Sequence, residues 1–202
     1  MKDRPFLFFA VVVLLSLVIS GIRPASYGVW LFELSLGFAA FLALVFTHRR
    51  FRFSPLVYGL ASLHFIVLAV GAHYTYAEVP LFNWLRDALH LSRNHFDRVG
   101  HFMQGFVPAL AAREVLLRKT ALKKGFLLSL LVVSVCLAFS ALYEILEWII
   151  AANFYPTSGL EWLGIQGDIW DTQKDMFFAL FGAVVAVLGF SRIHDQSMRN
   201  KK

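Results

Sequence analysis

The chain has few charged residues for its 202 residues, and it has a single cysteine. Charged residues make up 16% of the sequence and hydrophobic residues 58%, with a mean hydropathy of +0.65. A water-soluble domain of this size would have to expose much of that apolar surface, so lipid is the expected solvent for most of the chain. The lone Cys136 lies within an apolar run, which excludes an intrachain disulfide.

Several motifs that identify enzyme classes are also missing. The sequence has no Gly-rich phosphate loop and no HExxH, GxSxG or CxxC pattern, so Ser-based nucleophilic catalysis has no support. The net charge of +6 does not indicate nucleic acid, because the basic residues form short clusters beside apolar runs. That arrangement is typical of topology signals in a membrane protein.

Six apolar runs predict an all-α membrane protein with six transmembrane helices in a single domain, residues 1–202. Each run approaches the roughly 20 residues that cross a bilayer. The predicted spans are residues 6–22, 30–47, 56–74, 96–117, 125–152 and 176–190. A cleaved signal peptide is the alternative for the first run, but that run is long and no small-x-small cleavage site follows it. Pro80 begins a short amphipathic helix between spans 3 and 4, which we expect to lie in the membrane interface.

The basic residues predict that both termini are cytoplasmic. They cluster at the N-terminus, the 2–3 loop, the 4–5 loop and the C-terminal tail: Lys2, Arg4, Arg49, Arg50, Arg52, Arg118, Lys119, Lys123, Lys124, Arg192, Arg199, Lys201 and Lys202. This topology places all five tryptophans at or beyond the outer interface: Trp30, Trp84, Trp148, Trp162 and Trp170. Most acidic residues, including Glu78 and Glu161, fall on the same side.

Four of the outer polar residues are candidate catalytic groups. Glu144 and Glu147 lie one helical turn apart within apolar sequence, where acidic residues are costly and are functional candidates by default. Asp97 and Arg98 stand at the start of span 4. The alternatives are structural ion pairs of the glutamates with Arg98 or Arg23, and a capping role for Asp97 behind an Asn94 N-cap.

Four further residues are candidate metal ligands: His101, Asp171, Asp175 and His73. Asp97 and His101 have the i, i+4 spacing that lets a carboxylate and an imidazole share an ion or a proton. Asp168, Asp171 and Asp175 have i, i+3, i+7 spacing, although Thr172 and Asp175 also match a capping box. Glu33 is an additional candidate, whereas His64 is more typical of a packed histidine. These ligand types are compatible with Mg, Mn, Ca or Zn and do not distinguish between the four metals.

Three stretches carry a resemblance to a known family: residues 95–105 (HFDRVGHFMQG), 143–148 (YEILEW) and 167–176 (GDIWDTQKDM). They are similar to the uncharacterised YjdF-type bacterial inner-membrane proteins, over nearly the whole chain. The resemblance implies a multi-pass protein of the bacterial inner membrane. A more distant similarity links Asp97, His101 and Asp175 to VanZ-like proteins, but Arg98 and Ala179 stand where those usually have Lys and Asn.

The sequence supports three functional hypotheses. The first is a membrane protein with a polar outer site, a candidate site for a divalent metal, that acts on a lipid or lipid-linked amphiphile. The second is a proton- or cation-coupled carrier, and the third is a non-catalytic structural or partner subunit. Whether the protein is an enzyme is left open by the residues alone, as is the identity of any cofactor.

Overall fold

Every regular element of the part of the chain that the structure describes is an α-helix. The computed structural model describes residues 3–154 and 166–199, and the prediction of an all-α membrane fold is confirmed. Lys2, Glu161, Trp162, Lys201 and Lys202 lie outside the described residues. The helices are α1 (Arg4–Ser20), α2 (Tyr27–Thr47), α3 (Pro55–His73), α4 (Pro80–Ala88), α5 (Phe96–Lys119), α6 (Phe126–Phe154), α7 (Asp171–Gly189) and α8 (Ser191–Arg199).

Four of these helices are long and apolar enough to cross a membrane, namely α2, α3, α6 and α7. Helix α1 is apolar but has 17 residues, and α5 has 24 residues but carries acidic and basic side chains at both ends. Helix α4 has nine residues, and its exposed side chains include Leu81 and Trp84. The predicted amphipathic helix between spans 3 and 4 therefore exists as a helix.

Helix α7 begins earlier than the predicted sixth span, at Asp171. Its first turn has no side-chain cap from Trp170; instead Asp168 Oδ1 accepts a hydrogen bond from the Trp170 N–H at 3.1 Å. The Asp171 N–H donates to the Asp168 carbonyl at 3.2 Å. The predicted capping box of Thr172 and Asp175 is therefore wrong, because a turn at Asp168 starts the helix before Thr172 is reached.

Helix α5 lies at the centre of the bundle and contacts α3, α6 and α7. Glycines allow its backbone to approach α7 closely: a Cβ at Gly105 would overlap the carbonyl of Ala179, and one at Gly182 would overlap the carbonyl of Phe102. Small residues play this part in many membrane helix pairs. The packing brings the first turns of α5 next to the first turns of α7.

Helix α8 is attached to the bundle by a buried histidine. Arg113 donates a hydrogen bond to His194 Nδ1 at 3.1 Å, which leaves the proton on Nε2 to bond Glu114 Oε2 at 3.2 Å. The same Glu114 oxygen accepts the backbone N–H of Ser54 at 2.9 Å. One carboxylate thus joins α5, α8 and the segment before α3.

Acidification is expected to loosen α8. Burial acts to raise the pKa of Asp195, but contacts with Lys124 (2.5 Å) and Arg113 (2.9 Å) outweigh it and hold the pKa below its ordinary value. Because docking lowers this pKa, Asp195 stabilises the docked helix at pH values above the ordinary aspartate pKa. This contribution is lost as the pH falls through the lowered pKa. Hydrogen exchange of residues 193–198 in detergent should show faster opening in acid.

Asp195→Asn is the control for this effect, because it keeps the shape of the side chain. Neighbouring groups that also titrate, Glu114 and His194, are unchanged in the variant. The variant should open more readily than wild type at neutral pH and approach wild type at low pH. An equal difference at every pH would contradict the role of Asp195.

Candidate functional site

Asn94 fixes the start of α5. Its side chain is fully buried, and its Nδ2 donates to the Val79 carbonyl (3.1 Å) and to Asn83 Oδ1 (2.8 Å). Its Oδ1 accepts the Phe96 N–H at 3.0 Å, but His95 occupies the N-cap position of α5 and has no side-chain cap, so the predicted N-cap role of Asn94 is wrong. The Gln166 amide bonds the backbone N–H and carbonyl of Asn94 at 2.9 and 3.1 Å. The first turn of α5 is therefore held against both α4 and the segment that leads into α7.

Two buried arginines connect this turn to the aspartates near the start of α7. Arg98 donates to Asp175 Oδ1 and Asp171 Oδ1 and reaches Asp168 Oδ2 at 3.3 Å. Arg93 donates to Asp171 Oδ1 and lies 3.5 Å from Asp97 Oδ2. Asp168 lies outside the membrane-spanning segments, and a hydrogen bond from Lys174 lowers its pKa. Charge-assisted bonds of this kind are short and directional, so the arginines fix the positions of the carboxylates.

His101 lies among three carboxylates. Its Nε2 is 3.3 Å from Asp97 Oδ1 and 3.6 Å from Asp175 Oδ1, and its Nδ1 is 3.7 Å from Glu144 Oε1. Gln104 Oε1 lies 2.7 Å from Nδ1 and accepts its N–H. Nε2 faces the two aspartates, where it can carry a proton or, when deprotonated, offer its lone pair to a cation.

Asp97, His101 and Asp175 offer three ligand atoms within 4.8 Å of one another. A divalent cation bound at about 2 Å from each ligand needs donor atoms roughly 3–4 Å apart. The two distances to His101 Nε2 already meet this spacing. One imidazole and two carboxylates are also a chemically reasonable ligand set for Zn or Mn.

These residues line one end of a cavity of about 460 Å³. Glu33, Glu147, Tyr76 and Tyr143 line the same end, and the Tyr143 hydroxyl donates to Glu33 Oε2 at 2.7 Å. Glu144 Oε1 is buried, yet it has no hydrogen-bond partner among the residues that the structure describes. A buried polar atom without a partner is rare in proteins, which makes this oxygen a candidate contact for a ligand.

Carboxyl groups exceed cationic side chains in this region. Within residues 3–154 and 166–199, the carboxyls are Glu33, Asp97, Glu144, Glu147, Asp168, Asp171 and Asp175, and the cations are Arg93, Arg98 and Lys174. The excess persists even if His101 is protonated. Several carboxylates cannot all be ionised in a low-dielectric region without compensation, so protons or a bound cation must balance them.

The structure brings together most of the predicted site residues. Asp97, Arg98, His101, Asp171 and Asp175 form one connected group, and Glu144 and Glu147 line the same cavity. The additional candidate Glu33 also lines it.

His73 is the predicted ligand that the structure does not bring to this group. Its Nδ1 hydrogen-bonds the Ser20 carbonyl at 2.8 Å, and it is not among the described residues that line the cavity. The reason is that the end of α3 packs on the end of α1. His64 does line the cavity, and its buried Nε2 has no hydrogen-bond partner among the described residues.

Three residues of this region were not singled out from the sequence: Arg93, Tyr143 and Gln166. Arg93 stands four residues before Asp97, a spacing that favours ion pairing, and this signal could have found it. Tyr143 and Gln166 act through partners 110 and 72 residues away in sequence, so no local pattern indicates them.

The chain matches a family of membrane proteins over nearly its whole length. The family model described as "Predicted membrane protein (DUF2238)" matches residues 5–196. The chain is 43% identical over 190 residues to the protein named "Inner membrane protein YjdF" of Escherichia coli strain K12, covering 94% of this chain and 90% of that protein. No solved structure matches the chain, and neither sequence match supports the VanZ-like similarity. The chain belongs to the DUF2238 family of membrane proteins, as the YjdF-type resemblance predicted.

Proposed function

We propose that this protein crosses the bacterial inner membrane six times, with both termini in the cytoplasm, and binds an amphiphile in the cavity at its outer end. The six spans are α1, α2, α3, α5, α6 and α7, and α4 and α8 lie in the two interfaces. The E. coli relative carries the name of an inner membrane protein, which supports this location.

Contacts between distant basic segments support the proposed topology. At one end of the bundle, Asp3 contacts His48 (3.0 Å) and Arg52 (3.2 Å), and Arg118 donates to the Arg52 carbonyl at 2.6 Å. Lys124 and α8 meet at the same end through Asp195. The N-terminus, the 2–3 and 4–5 connections and the C-terminal helix thus share one side, as the positive-inside rule requires for a cytoplasmic face. A fluorescent-protein fusion after α8 should be bright, and a periplasmic reporter at the same place should be inactive.

The single observation that carries the functional proposal is the division of the cavity into two chemical parts. One end holds His101 and its carboxylates, and the remainder is lined mainly by aliphatic and aromatic side chains. A polar head group and a hydrocarbon chain would each meet matching surroundings in such a space. We infer that the ligand is a lipid or lipid-linked molecule.

The residues of the polar end have distinct proposed roles. Asp97, His101 and Asp175 hold a divalent cation, and Asp171 supports them through the arginines. Arg98 is a positioning residue, because its guanidinium holds Asp171 and Asp175 and it is not among the described lining residues. Glu144 and Glu147 face the cavity and exchange protons with the bound head group or with water. A bound cation would supply Lewis-acid activation of a water or head-group oxygen, which fits hydrolysis or group transfer.

The carrier hypothesis has weaker support. An ion crossing the membrane needs polar groups along its path. Beyond the polar end, the described lining residues with side-chain donors or acceptors are His64 and Thr47. Proteoliposome cation flux that depends on Glu144 would nevertheless favour a carrier over the proposed amphiphile-binding function.

Loss of the imidazole is expected to abolish divalent-metal binding. His101→Gln removes the central ligand while it keeps a side chain of similar size, and Glu147→Gln should lower binding by removing nearby negative charge. Metal content and heat stability of the purified protein, with and without added Mn²⁺ or Zn²⁺, provide the readout. A ligand at a hundredfold excess over its Kd stabilises the folded state by about 2.7 kcal/mol.

Asp87→Asn is a matched control, because Asp87 is exposed and pairs with Arg86 of the same helix. It should bind metal as wild type does. An unchanged metal stoichiometry in His101→Gln would remove the cation from the proposal, and metal-independent stability of the wild type would count against it as well.

A further inference from the structure

We propose that the apolar part of the cavity holds a hydrocarbon chain of the ligand, which enters sideways from the outer leaflet between α2 and α6. This inference rests on the proposed function and adds where the hydrocarbon chain lies and how it enters. Its polar head lies at His101 and Glu144, and its chain runs along α2 toward the cytoplasmic side.

The cavity is long. On α2 its lining residues run from Val29 to Thr47 and include Gly37 and Ala40. The 14 helical steps from Glu33, at the polar end, to Thr47 span about 21 Å at 1.5 Å per residue, which is about two thirds of a 30 Å hydrocarbon core. This length accommodates an extended hydrocarbon chain that lies along α2.

Small side chains form the walls of this channel. Ala40 of α2, Ala61 of α3 and Ala111 of α5 line it. Gly37 lines it too, but there the missing side chain allows α2 to pack on α3, because a Cβ would lie 2.8 Å from Leu68 Cδ1. A larger residue in place of one of the three alanines would occupy part of the space.

Aromatic side chains close the far end of the channel. Phe9, Phe41 and Phe53 are buried and line the cavity there, and the rings of Phe9 and Phe41 are 5.6 Å apart. We call these three residues the aromatic floor. The end of a bound chain would rest on it, so the floor limits the length of chain that the channel accepts.

The seam between α2 and α6 is the proposed access route. Helix α2 packs against α3, and it approaches α6 where Tyr143 bonds Glu33 and stacks on Phe32 with ring centres 5.8 Å apart. A smaller cavity of about 190 Å³ lies on this seam, and Leu36 and Tyr143 line both cavities. Two side chains that can change rotamer thus separate the seam from the channel.

Photolabelling tests the channel directly. The probe is a lysophosphatidylethanolamine with a diazirine at the end of its chain, added to the full-length protein in detergent. We expect label near the aromatic floor, on α1 and on residues 41–57. Ala40→Trp and the milder Ala40→Leu should abolish or strongly reduce floor labelling, whereas Leu188→Trp on an exposed surface should not.

The controls separate this inference from the proposed function. His101→Gln should lose metal and keep floor labelling, whereas Ala40→Leu should keep metal and lose floor labelling. Label found only on exposed residues such as Phe46 and Leu188, or floor labelling that survives both Ala40 variants, would overturn the channel.

A substitution in the seam tests the direction of access. Leu36→Trp places a large ring between the two cavities, so floor labelling should become slower while its final position stays the same. Leu31→Trp, on an exposed face of α2 and outside the described lining of both cavities, is the matched control. An unchanged labelling rate in Leu36→Trp would overturn sideways access.

Discussion

Replacing Gly105 by alanine is expected to unfold or strongly destabilise the bundle. The new Cβ would overlap the Ala179 carbonyl, and a backbone group cannot rotate away as a side chain can. The cost should be at least about 3 kcal/mol, the upper end of the usual penalty for overpacking. Heat stability of the detergent-purified protein, followed by size-exclusion chromatography, measures the loss.

Gly59→Ala is the control for this substitution. Gly59 also lies within a helix, but a Cβ there meets no atom within 4 Å among the described residues. Because alanine is the better helix former by about 1 kcal/mol, this variant should match or exceed wild-type stability. Similar stability of Gly105→Ala and Gly59→Ala would mean that α5 and α7 do not pack as described.

Replacing Arg98 by leucine is expected to destabilise the fold about as strongly as Gly105→Ala does, for an electrostatic reason. The guanidinium is buried and contacts Asp168, Asp171 and Asp175. Its removal takes the arginine partner from Asp175 and leaves Asp171 with Arg93 and Asp168 with Lys174. Breaking a buried ion pair in this way costs about 3–5 kcal/mol. Protonation of Asp175 relieves part of the cost, so the variant should recover stability relative to wild type as the pH falls.

Lys174→Gln is the matched control for Arg98, because it removes another cationic partner of Asp168. The Lys174 side chain is 50% exposed, so the loss should be about 1 kcal/mol or less. Arg98→Lys should rescue only partly, since a single ammonium cannot match the planar fork that reaches three carboxylates. Equal stability of Arg98→Leu and Lys174→Gln would show that the arginine does not hold the cluster.

Local spacing was sufficient to predict the parts of the site that lie on one helix. The i, i+4 relation of Asp97 and His101 predicted their contact, and they are 3.3 Å apart. Asp171 and Asp175 likewise share one face of α7. The apolar runs predicted the helices, because backbone N–H and C=O groups in lipid must bond within the protein, and an α-helix satisfies them within one segment.

Local sequence spacing could not predict the contacts between different helices. His73 is a histidine near the outer end of its predicted span, as a ligand of this site would be. The packing of α1 against α3 instead gives it the Ser20 carbonyl as partner. Tyr143 was not singled out from the sequence, because its hydroxyl bonds Glu33, which is 110 residues away in the chain. The start of α7 at Asp171 was not predicted either, because it follows a turn at Asp168, whose side chain contacts Arg98 and Lys174.

The division of the ion-pair network between two helices has a consequence for biogenesis. Asp175 of α7 meets the Arg98 guanidinium only when α5 is in place. An unpaired carboxylate in an isolated inserted helix is costly, and α5 is not among the four described helices that are long and apolar enough to cross a membrane. In the proposed topology, we therefore expect α5 and α7 to enter the bilayer together, with Arg98 and Asp175 already paired.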